Sequence, residues 1–134
     1  MDRSYYCHGS AGILDWEPGK GTRLYEPWWA LVLCDQGIID YYAWHCRRWG
    51  IPVQKGSAYG AHISFLKGEE PPRQELWGRD TGPIPFHYAH MVRYDNNAHA
   101  WLDVWSDQLI ELQAALGYPP KVKMSYHLTI GRLV

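Results

Sequence analysis

Apolar positions divide this chain into an unpatterned opening and two similar halves. Over residues 1 to 27 glycines, Pro18 and Pro27 interrupt any period, which predicts an irregular arm with one short strand around Ser4 to His8. Trp28-Trp29-Ala30-Leu31-Val32-Leu33 is a continuous apolar run of strand length, as expected at the centre of a sheet. Asp35 then offers a helix cap, and Ile38, Ile39, Tyr42, Cys46 and Trp49 recur every three or four residues until Gly50 and Pro52 end the helix. A flexible lead, Val53 to Gly60, enters a strand at Ala61-His62-Ile63-Ser64-Phe65-Leu66. Gly68 to Pro85, dense in proline and charge, reads as an exposed loop. Ile84 to Tyr94 and Ala98 to Trp105 predict a hairpin about the turn cluster Asp95-Asn96-Asn97. Ser106 and Asp107 open a second helix through Leu109, Ile110, Leu112 and Leu116, closed by Gly117 and Pro119, and Tyr126 to Ile130 predicts the last strand.

Strand, helix, lysine-bearing connector and strand therefore occur twice, predicting two lobes, about 28–67 and 84–134, related by a pseudo-twofold axis. The two closing strands share a pattern. His62-Ile63-Ser64 and His127-Leu128-Thr129 each place an imidazole and a hydroxyl on one strand face and apolar residues on the other. Two imidazoles supply a base and an acid near neutral pH, and hydroxyls two residues away supply donors for the non-bridging oxygens of a phosphate. Seven histidines and nine serines and threonines give roughly half a His-x-Ser/Thr match by chance, so letters alone carry little. His8-Gly9-Ser10, in a glycine-rich stretch without a strand signal, is read as the accidental match. The apolar flanks and the preceding helices distinguish the other two.

Composition narrows the ligand. The 134 residues (15.6 kDa) fit one domain, and the net charge of -1 removes the field expected of a protein that tracks long nucleic acid. Eight tryptophans and ten tyrosines suit a surface that stacks on bases, although core packing accounts for most of them. No apolar run reaches the ~20 residues of a membrane span, and no leader pattern is present, so a cytoplasmic protein without membrane partners is expected. Cys7, Cys34 and Cys46 have no metal spacing and read as packing residues. Gly19-Lys20-Gly21-Thr22 lacks the earlier glycine and leading strand of a phosphate loop.

At His62-Ile63-Ser64 and at Tyr126-His127-Leu128-Thr129-Ile130-Gly131-Arg132 the chain resembles the 2H phosphoesterase superfamily, the second stretch being similar to LigT-like members. In literal sequence the likeness covers the two motifs alone, and Ser64 stands where threonine is usual. The resemblance implies an α+β, two-lobed fold with antiparallel sheets around a central cleft and helices outside. It also implies catalysis by His62, Ser64, His127 and Thr129 with neither metal nor cofactor. The superfamily includes RNA 2',3'-cyclic phosphodiesterases, enzymes cutting 2'-5' oligoadenylate, and small phage enzymes that destroy cyclic oligonucleotide signals of anti-phage defence. A compact, nearly neutral, aromatic-rich chain is most similar to the last group. The expectation is a monomeric phosphodiesterase cleaving 3'-5' or 2'-5' bonds of cyclic or short oligonucleotides, in the host cytoplasm if phage-encoded. An RNA end-processing enzyme and a non-catalytic nucleotide-binding module remain as alternatives.

Candidates for substrate contact are Trp77, after the first motif, Tyr5 or Tyr6 in the arm, and Lys55, Tyr59 and Arg132 near the motifs, each with packing or solvated surface as the alternative. His87 and His90, with His99 across the hairpin, form a rival metal set. Residues three apart on a strand point to opposite faces, which argues against it.

Overall fold

The computed structural model describes residues 4–54, 59–95, 99–120 and 126–133. The periodic segment after Asp35 forms α1 (Gln36–Arg48), whose cap carboxylate accepts the Gly37 N–H at 2.9 Å and whose residues Ile39, Tyr42, Ala43 and Cys46 are buried. Ser106 caps α2 (Asp107–Ala115) by accepting from the Leu109 N–H, and its hydroxyl donates to the Pro85 carbonyl outside the helix. Gly117, at φ +88, ends that helix in the left-handed conformation glycine tolerates.

The strands are β1 (His8–Trp16), β2 (Ala30–Leu33), β3 (Val53–Gln54), β4 (His62–Leu66), β5 (Pro83–Tyr88), β6 (Arg93–Tyr94), β7 (His99–Trp105) and β8 (Tyr126–Leu133). They lie in the order β3-β8-β4-β2-β1-β5-β7-β6, and a further β7–β8 ladder closes six of them into an antiparallel ring. Alternate residues from five strands of the ring, among them Val32, Ile63, Ile84, Phe86, Leu102 and Leu128, form one buried cluster with Ile39, Tyr42 and Leu109 of the helices, and β1 adds the partly buried Leu14 and Trp16. In so narrow a closed ring the shared face is the interior, so these side chains fill the barrel. The ladders place the α1 end of β2 and the α2 end of β7 at opposite ends of the ring.

The twofold pattern is present in the topology. Exchanging β1 with β5, β2 with β7 and β4 with β8 reproduces the ring order. Each half of the chain is thus an arc of three strands carrying one helix, and the arcs meet at two seams, β4–β8 and β1–β5. The paired sheets expected on either side of a cleft are here continuous with each other.

The arm requires correction. Its expected short strand at Ser4 to His8 is instead the nine-residue β1, which forms half of a seam. Its glycines, read as irregularity, permit close packing: a Cβ on Gly12 would stand 2.5 Å from the Leu33 carbonyl oxygen. His8-Gly9-Ser10 accordingly lies on a strand. The run expected from Trp28 is shorter, because Trp28 adopts φ +57 and pairing begins at Ala30. The first hairpin strand is broken at Ala89–Val92 into β5 and β6. The turn residues Asn96 and Asn97, and the connector lysines Lys55, Lys121 and Lys123, lie outside the described residues. No helix among the described residues is long and apolar enough to cross a membrane.

Candidate active site

Ile63 pairs with Leu128 across the β4–β8 seam, and both side chains are buried. Carried one residue either way, this antiparallel register sets His62 opposite Thr129 and Ser64 opposite His127, all on the outer face. The two histidines are then diagonal neighbours, roughly 7–8 Å apart along their strands. That span admits one phosphate between two imidazoles.

The start of β4 is anchored before His62 is reached. The Cys34 N–H donates to the Ala61 carbonyl and the Ala61 N–H to Gln36 Oε1, both at 2.9 Å. His62 Nδ1 lies 2.9 Å from the Gly60 carbonyl oxygen. A carbonyl only accepts, so in the neutral ring Nδ1 carries the hydrogen and Nε2 keeps its lone pair. On the far side of β4, Leu33 pairs with His62 and Leu31 with Ser64.

His127 has different company in the same register. β7 places Asp103 opposite His127 and Trp101 opposite Thr129. Trp101 stacks on the His127 ring with centroids 4.9 Å apart and planes 27° apart. Asp103, only 5 % exposed, accepts at Oδ2 from the Tyr5 hydroxyl (2.8 Å) and Arg93 Nη1 (3.1 Å), and at Oδ1 from Trp101 Nε1 (3.0 Å). The same Oδ1 stands 3.7 Å from His127 Nε2. Burial alone would push the Asp103 carboxyl up, but the bonds from Tyr5, Arg93 and Trp101 outweigh it and hold it below the ordinary carboxylate value. Burial and the same carboxylate raise the Tyr5 hydroxyl, and the bond to Asp103 raises Arg93 further. A fixed negative charge thus faces His127 and stabilises its protonated form.

Arg132 joins this face through a bulge. The β7–β8 register shifts between Ala100 and Trp101, so Gly131 follows buried Ile130 on the core side and Arg132 returns outward beside His99. Gly131 is required there, since a Cβ would meet the Gln54 carbonyl oxygen at 2.5 Å. Aromatic rings flank the histidines: Tyr59 lies 6.3 Å from His62 and 5.2 Å from Trp29, while Tyr5 and Trp101 stand on the His127 side.

The structure therefore brings together His62, Ser64, His127, Thr129, Arg132, Tyr59 and Tyr5, although Tyr5 reaches the site through its hydroxyl. Trp77 packs instead with Trp16 and Trp28, at 4.6 and 5.1 Å, near the end of β4 remote from His62. Lys55 is outside the described residues. Asp103, Trp101 and Arg93 were missed. The first two had a signal: a carboxylate and an indole alternating with Ala100, Leu102 and Val104 in a strand-length apolar run. Arg93 had none. His87, His90 and His99 do not form a metal-ligating group among the described residues; His90 meets Cys7 and His8 instead. Cys7 is exposed, contrary to its reading as a packing residue, whereas Cys46 is buried and burial pushes the Cys34 thiol up to about 12.

Comparison with known protein families, with curated proteins and with solved structures returned no match to this chain.

Proposed function

We propose that this protein is a metal-independent phosphodiesterase of the 2H type that cleaves cyclic or short oligonucleotides. The observation that carries the proposal is the β4–β8 register, which puts both His-x-Ser/Thr pairs on one face of adjacent strands. His62 Nε2, which carries the lone pair while Nδ1 bonds Gly60, takes the proton from a ribose 2'-hydroxyl. That oxygen attacks the adjacent phosphorus. The His127 imidazolium, favoured by Asp103, gives its proton to the departing 5'-oxygen. The P–O5' bond breaks as the new P–O2' bond forms, leaving a 2',3'-cyclic phosphate, and water then opens that ring with the histidine roles exchanged. Ser64 and Thr129 donate to the non-bridging oxygens, and Arg132 and Arg93 offset their charge. Tyr59 and Trp29 on one side and Trp101 on the other offer faces for bases, which suits a short ligand better than a long polymer. Such a substrate is consistent with an enzyme that removes cyclic oligonucleotide signals.

The test is a substrate panel of cyclic di- and trinucleotides, 2'-5' and 3'-5' linear dimers and RNA ended in 2',3'-cyclic phosphate, with His62→Ala and His127→Ala as controls. Turnover of cyclic or linear short substrates, lost in both variants, is expected. Turnover of the terminal cyclic phosphate alone would make the protein an RNA end-processing enzyme. Ligand retained but unchanged after prolonged incubation would make it a binding module.

A further inference from the structure

A second cluster of chemistry-bearing side chains lies across the β1–β5 seam, outside the histidine pair. The ladder pairs His8 with Tyr88, so the start of β1 and the end of β5 emerge together. His90 follows two residues on, and the intervening Ala89 N–H donates to the Asp103 carbonyl at 2.9 Å, which fixes the bend. The result sets Cys7 Sγ 3.2 Å from His90 Nδ1 and the His8 ring edge-on to that of His90, with His8 stacked on Tyr88. One ligand atom from each of Cys7, His8 and His90 lies within 4.8 Å of the other two.

We propose that Cys7, His8 and His90 bind a transition-metal ion of zinc's class, clasping the N-terminal arm to the end of β5. One sulfur and two imidazole nitrogens are a borderline-soft set suited to Zn2+, not to the oxygen-seeking Mg2+ or Ca2+. Zn–S and Zn–N bonds near 2.3 and 2.0 Å put tetrahedral ligand atoms roughly 3.3 to 3.6 Å apart. Cys7 and His90, 3.2 Å apart, already stand close to that spacing, and because all three side chains are exposed, a shift of about 1 Å brings His8 in without disturbing the core. His8 and His90 also line a concavity of about 730 Å³ with Asp35, Tyr42, His45 and Tyr88, which gives a fourth ligand such as water a way to the ion. Binding converts the Cys7 thiol to a thiolate, its proton leaving to solvent as the Zn–S bond forms. The metal takes no part in the phosphate chemistry. Its effect is positional: Tyr5, two residues before Cys7, is held on Asp103. The site stands whether or not the phosphodiesterase reading does.

The test is calorimetric titration of the reduced, metal-free full chain with Zn2+ in two buffers of different ionisation heat, and Co2+ absorption spectroscopy. The expected result is one saturable site with about one proton released per ion, and a Co2+ spectrum with a thiolate charge-transfer band and tetrahedral d–d intensity. Cys7→Ser and His90→Ala, both surface changes whose folding circular dichroism can check, should each weaken Zn2+ by roughly tenfold or more, and Cys7→Ser should abolish the charge-transfer band. His87→Ala, an exposed neighbour outside the cluster, should leave binding unchanged. The proposal is overturned by a lack of saturable uptake, by affinity within twofold of wild type in both ligand variants, or by a Co2+ spectrum without the thiolate band.

Discussion

β4 and β8 carry the same histidine pattern in the same register on symmetry-related arcs, yet their neighbours differ. His62 faces Leu33 and a backbone carbonyl, whereas His127 faces a buried carboxylate and an indole. Equivalent positions in the ring therefore hold Leu33 against Asp103 and Leu31 against Trp101. Two identical imidazoles cannot divide acid and base duties by themselves. A neutral tautomer locked by Gly60 suits the base and a carboxylate beside the ring suits the acid, so in the proposed mechanism the division of labour comes from the turn that precedes β4 and from β7.

The largest expected effect removes either imidazole. His62→Ala and His127→Ala should each lower kcat by about 10² to 10⁴, the range of one acid or base, with little change in KM. If both variants keep more than half of wild-type turnover, the paired-histidine site is not where the chemistry occurs. The next change abolishes the difference between the arcs: Asp103→Asn takes the charge from His127 and leaves its stacking partner. At 3.7 Å, with solvent reaching the half-exposed imidazole, that charge contributes about 1 to 2 kcal/mol, so a loss of roughly five- to thirtyfold is expected. The alkaline limb of the kcat/KM profile should move to lower pH while the acid limb stays. Movement of the acid limb instead would reverse the assigned roles.

The same carboxylate makes a prediction about stability. Asp103 titrates below its ordinary value in the fold, so its stabilisation is complete above the unfolded carboxyl's range, near 3.9, and is lost as pH falls through the lower folded value. Urea unfolding from pH 6 down to pH 2 should show an acid-side decline in the wild type that Asp103→Asn lacks. Parallel curves for the two proteins would assign the decline to other carboxyls.

The two helices and their caps were legible because Asp35 and Ser106 sit immediately before apolar periods, and the motif strands because their alternation survives in the fold. β1 was not. Ser10, Gly9 and Gly12 give it no apolar alternation, and the partners that demand a missing side chain at Gly12, Leu33 and Val32, are distant in sequence. The bulge after Thr129 was equally hidden, so strict alternation would have turned Arg132 away from the site that it joins. Asp103 shows the general difficulty. Its partner Tyr5 is 98 residues away, and only ring closure brings the arm to β7.

The smallest predicted effect tests that arm. Tyr5→Phe removes one of three donors to Asp103 and preserves the ring, which packs edge-on against Tyr6. Arg93 and Trp101 still satisfy the carboxylate, so the cost should be that of one bond, about 0.5 to 1.5 kcal/mol in urea unfolding. With less stabilisation, Asp103 titrates nearer its ordinary value, and the acid-side decline in stability should be smaller and end at a higher pH than in the wild type. Turnover should fall only a few-fold, because Tyr5 acts on His127 through Asp103. A loss as large as that of Asp103→Asn would mean that the hydroxyl itself meets the substrate, and would turn a positioning residue into a catalytic one. Combining Tyr5→Phe with Asp103→Asn separates the two: a tyrosine that works only through the carboxylate adds nothing once the charge is gone.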